Sequence, residues 1–173
     1  TVFSILVCTL LLIAGQSPGQ TVADYSSVQA AIDANPGRMI YVPQGDHNVD
    51  RAVTINTDGT GLYGFGRIVQ SNPNQPVLRV ENASDVLIRD IAIARAEESG
   101  EPTQEGIYIV DSERVTVEGV RAIDVRSFAG VIHGNRVRHL TIRNCTVRNY
   151  KMLRIDERMD GDLYGYSFQA IDG

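Results

Sequence analysis

Leucine is scarce in this chain of 173 residues, cysteine nearly absent, and basic charge in deficit. Beyond residue 20 there are six Leu against 17 Val and 14 Ile. Helical proteins favour Leu and Ala, whereas β-branched side chains favour strands. A helix bundle and a coiled coil are therefore excluded, and so many apolar residues exclude a disordered chain. The formal net charge of −5 leaves no global basic field, so nucleic acid is not an expected partner. Phosphate-binding Gly loops, zinc-ligand spacings and a Gly-x-Ser-x-Gly elbow are all missing. What is present is strand-forming sequence broken by 16 Gly and a scatter of Asn and Asp, which supply turns.

The ends have their own character. Val2 to Ala14 is almost wholly apolar, and no charge precedes Asp24. The run is shorter than the roughly 20 residues of a membrane-spanning helix. It matches the apolar region of a secretory signal, with small residues at Ala14-Gly15-Gln16-Ser17-Pro18-Gly19 for cleavage. A buried strand or a membrane anchor is the alternative. The expected organisation is a signal-peptide remnant over 1–20 and one domain over 21–173, cut short at its C-terminus. The mature chain is expected to be secreted, periplasmic or at the cell surface, with no membrane contact after cleavage. Cys8 would leave with the signal, and Cys145 alone makes no internal bridge.

Three segments repeat. They begin at Val86, Val115 and Leu140, at offsets of 29 and 25 residues. Each reads apolar-x-apolar-x-turn-apolar-x-apolar, with Asp90, Gly119 and Asn144 at the turn. Those residue types tolerate a left-handed backbone best. Two alternating strands thus meet at a sharp bend. A further strand precedes each unit, at 76–80, 106–110 and 130–133, and 166–171 looks like a fourth copy. An earlier turn runs through 52–56, 61–66 and 67–70. Three short strands per repeat of roughly 22–30 residues lie in the solenoid range. A β-sandwich also has many short strands, but it does not need the same bend at the same phase three times. The expected fold is all-β, a right-handed parallel β-helix, with Cys145 stacked on Val120 and Ile91 as a small core residue.

Ser26 to Ala34 has helical spacing, with Val28, Ala31 and Ile32 on one face, a Ser cap, and Asn35-Pro36-Gly37 as a stop. A solenoid exposes its first coil unless something covers it, so a short N-terminal α-helix is expected as a lid. The segment SSVQAAIDANPGRMIYVPQGDHNV resembles the beginning of pectate-lyase-like right-handed β-helix proteins, where a capping helix leads to an apolar strand ending in Val-Pro-x-Gly. The resemblance implies a secreted protein acting on polysaccharide as a lyase, hydrolase or epimerase; non-catalytic surface or saccharide-binding members also exist. It further implies that long loops wall a groove over the first-strand face. The adjacent Asp pair with Asn-Thr-Asp, Gly-His-Gly, Arg-Ile-Lys and Arg-x-Pro-x-x-Arg are all absent, which disfavours a pectin-type hydrolase.

Connections from the third strand back to the first vary most in length, and variable loops on a rigid scaffold commonly carry function. One holds Glu97, Glu98, Glu101 and Glu105. Another holds Arg154, Asp156, Glu157, Asp160 and Asp162. Paired carboxylates serve hydrolysis. A base with a cation to neutralise a uronate serves elimination or epimerisation. Oxygen ligands from Asp156, Asp160 and Asp162 would suit Ca²⁺. A solvated acidic loop fits the same residues. His133, at the end of a first strand, is a candidate base or saccharide contact if it faces outward, and otherwise a partly buried, hydrogen-bonded residue. Glu105, Asp156 and Asp160 join it as catalytic candidates. Arg79 and Tyr108 should project outward between apolar neighbours and, with Arg154, are candidate substrate contacts. His47 and His139 lie at other phases of the coil.

Overall fold

A computed structural model describes residues 20–97, 103–123, 125 and 131–148, and the backbone of 168–171. After the helix α1 (Val28–Ala34), the first coil has only β1 (Met39–Val42) and β2 (Asp46–Val49). The second has β3 (Val53–Ile55), β4 (Gly61–Gly64) and β5 (Arg67–Gln70). The third has β6 (Leu78–Glu81), β7 (Ser84–Arg89) and β8 (Ala92–Arg95). Then come β9 (Ile107–Glu118) with β10 (Arg121–Ile123), β11 (Ile132–Arg143) with β12 (Thr146–Arg148), and β13 (Phe168–Ile171). Every described pairing is parallel and joins one coil to the next. The chain is a parallel β-solenoid of about four turns, as its repeats predict.

The repeats set the register. Val53, Leu78, Ile107 and Ile132 stack in the first column. Ile40, Leu62, Ile88 and Val117 stack in the second, and Ile68, Ile93 and Ala122 in the third. All of these are buried. Each buried Val, Leu or Ile contributes roughly 1.5–3 kcal/mol over an exposed one, so the lining carries the fold of the described residues, whose Cys145 is a free thiol. Cys145 follows Val120 and Ile91 at the third-strand corner and packs against the same core.

The bends match the sequence where Asp90, Gly119 and Asn144 take φ of 62°, 63° and 55°. A side chain at Gly119 would run into the Asp90 carboxylate of the coil below, so glycine suits this corner for space as well as for backbone. The other corner differs from expectation. First and second strands fuse into the 12-residue β9 and β11. Left-handed residues three apart turn the chain there: Asp111 and Arg114 in β9, Arg136 and His139 in β11. Neighbouring coils turn at the same register, so hydrogen bonding resumes directly through the corner. Arg114 and Arg136 are unfavourable residues for this backbone. Each forms a two-point ion pair with the carboxylate one coil below, Asp85 and Asp111 respectively.

The lid forms as expected but occupies the place of the missing first strand. Val28, Ala31 and Ile32 face the core, and the Ser27 hydroxyl accepts the Ala30 N–H. Gln29 completes the open edge of β3. Its Nε2 donates to the Thr54 carbonyl at 3.1 Å, and its Oε1 accepts the Thr54 N–H at 2.7 Å. One side-chain amide thus imitates a strand neighbour and blunts an edge that would otherwise recruit one. Over β1 the backbone itself does this: Thr21 forms a parallel bridge with Tyr41, and the Gln20 carbonyl accepts the Tyr41 N–H at 2.7 Å.

Candidate functional site

Outward positions of the first column form a ladder. Thr54, Arg79, Tyr108 and His133 stand in register on β3, β6, β9 and β11, at about 4.8 Å per coil. Strand alternation puts them there: Tyr108 lies between Ile107 and Ile109, both fully buried. Arg79 Cζ lies 5.2 Å from the centre of the Tyr108 ring, and the His133 ring lies 5.3 Å from it at a 57° tilt. Tyr108 is therefore engaged along the axis by a cation and an imidazole. Arg79 also donates from Nε to Glu81 at 2.6 Å, which occupies one of its five N–H groups.

Glu105 supplies the polar centre. Its Oε1 lies 2.8 Å from His133 Nδ1, with side chains only 8% and 15% exposed. A carboxylate facing Nδ1 holds the proton on that nitrogen and leaves Nε2 as the acceptor. Among the described residues Nε2 is shielded and has no hydrogen-bond partner, and such a buried polar atom calls for an explanation. The residue after Glu105, Gly106, lies close against the following coil: a Cβ there would stand 2.7 Å from the Val131 carbonyl oxygen.

Four candidates from the sequence, Arg79, Tyr108, Glu105 and His133, thus form one connected group. Arg154, Asp156, Asp160 and Asp162 lie outside the described residues, as do Glu98 and Glu101. Glu97 is exposed. Among the described residues no group of three or more His, Cys, Asp or Glu could hold a metal ion. No described helix is long and apolar enough to cross a membrane.

No family model, curated protein or solved structure matches this chain. The site therefore rests on its own geometry.

Sequence reasoning missed Arg95. It reads as the polar end of β8, but it is 4% exposed and donates to four backbone carbonyls of two successive return loops. The signal was present: Ile91 and Ile93 point inward, and strict alternation places Arg95 inward too. Gln70, its register partner, is also fully buried and ties down Pro76 and Asn72. Glu81 was missed as well. It follows Arg79 by two, which puts both on one strand face.

Proposed function

We propose that this is an extracytoplasmic protein acting on polysaccharide through the outward first-strand face, with His133 as the proton-transferring group. The resemblance of the capping segment to pectate-lyase-like β-helix proteins is the origin of this reading, and the solenoid fold is compatible with it. The observation that carries it is the buried Glu105 carboxylate at 2.8 Å from His133 Nδ1, with Nε2 unpartnered among the described residues. A carboxylate that fixes the imidazole tautomer prepares the opposite nitrogen to accept a proton. On a uronate unit whose binding uncovers Nε2, that nitrogen would take the proton on the carbon next to the carboxyl group. Departure of the glycosidic oxygen at the adjacent carbon, protonated by the imidazolium or by water as it leaves, gives an unsaturated sugar end; return of a proton from water to the other face, with loss of the imidazolium proton to solvent, gives epimerisation. Arg79 and Tyr108 would contact the saccharide beside the reacting unit.

A second reading is favoured by the shielding of Nε2 and the engagement of Arg79 by Glu81: a non-catalytic saccharide-binding scaffold. One experiment separates the two. The chain is incubated with a broad panel of neutral and uronate polymers, following ultraviolet absorbance for unsaturated ends, reducing ends for hydrolysis, uronate stereochemistry and binding. Turnover supports the first reading. Binding without turnover supports the second, and neither on any polymer rejects both.

A further inference from the structure

We propose that Arg95 is a positioning residue for the Glu105–His133 pair. The inference rests on the reading of that pair as the working centre. Arg95 Nη1 donates to the carbonyls of Asn72 at 3.1 Å and Gln75 at 2.7 Å. Its Nη2 donates to those of Gln104 at 2.7 Å and Glu105 at 3.0 Å. The first two carbonyls belong to the return loop between β5 and β6, the other two to the return loop between β8 and β9. One planar guanidinium therefore clamps two successive loops against each other. The second loop ends in Glu105, whose backbone carbonyl is held directly while its carboxylate reaches one coil up to His133. A fork of fixed geometry suits this task, whereas a lysine ammonium is a single point donor that cannot span both loops.

His133 Nδ1 reads out the clamp without any need for turnover. The chain has three histidines, and His47, with Nε2 at 2.9 Å from the Pro43 carbonyl, is an internal reference of the opposite tautomer. Nitrogen-15 and proton spectra of the imidazoles in the full chain are compared for the parent, Arg95→Lys, Arg95→Met and Glu105→Gln. The parent should show His133 as a single Nδ1–H tautomer with a slowly exchanging, downfield Nδ1 proton. Glu105→Gln should lose that signature. Arg95→Met should lose it as well while His47 stays unchanged, and Arg95→Lys should recover only part of it. A parent-like His133 signal in either folded Arg95 variant overturns the proposal. Should Arg95→Met not fold, Arg95→Lys decides. If that variant also lacks the β-solenoid circular dichroism, the role is structural and the proposal fails. Because activity is not measured, failure here is distinct from failure of the catalytic reading. A chain inert on every polymer would still show the clamp, and an active enzyme would still lose it.

Discussion

Two residues show how strictly the stack limits side chains. Gly119 combines a left-handed backbone with direct contact to Asp90 below it. Gly119→Ala should lower stability by about 1–3 kcal/mol, from backbone strain plus the displaced carboxylate, read as a lower denaturant midpoint with unchanged slope. Cys145 makes the opposite point. Burial pushes its thiol above the usual range, against the weaker pull of nearby backbone hydrogen bonds. The thiolate is the reactive form, so Cys145 should react with a disulfide reagent at neutral pH much more slowly than a free thiol. A rate equal to that of free cysteine would show that the corner opens.

At the scale of elements, the lid and the ion-pair columns hold the ends and flanks of the coils. Gln29→Ala removes two hydrogen bonds from the β3 edge and should cost about 1–3 kcal/mol, checked by chemical denaturation. Asp46, Asp85 and Asp111 are each held below the usual carboxylate range, first by the hydrogen bond from Arg67, Arg114 or Arg136 on the next coil. A depressed folded pKa means that these pairs contribute fully above the unfolded value of about 3.9. The contribution is lost as pH falls through the lower folded values. Asp111→Asn should therefore be less stable than the parent at pH 7, with the gap closing well below pH 4. All three carboxylates are exposed, so added salt should shrink the gap at neutral pH too. The coils themselves were legible because period two and one recurrent bend determine every inward position. The fused corners of β9 and β11 were not. Arg114, Arg136 and His139 carry no turn signature of their own; the left-handed backbone of the two arginines is offset by their ion pairs to the coil beneath.

The whole molecule places its candidate chemistry where stacked strands make a flat outer face and return loops lie beside it. Alternation along one strand was enough to find Arg79, Tyr108 and the outward option for His133. Glu105 was a candidate from its loop, but its pairing with His133 was not legible, because that contact joins coils 28 residues apart in sequence. Nor could alternation separate Arg95 as a buried clamp from a solvated strand end without following Ile91 and Ile93 inward. The central claim is that Glu105 and His133 act together on polysaccharide. It is tested most directly by the rate of product formation on whichever polymer the parent chain turns over, compared for the parent, His133→Ala, Glu105→Gln and the double variant. Each single change should lower kcat by roughly 10²–10⁴-fold, and the double variant should fall little further, because residues that act as a unit are not additive. A parent chain inert on every polymer, or single variants as active as the parent, would contradict it.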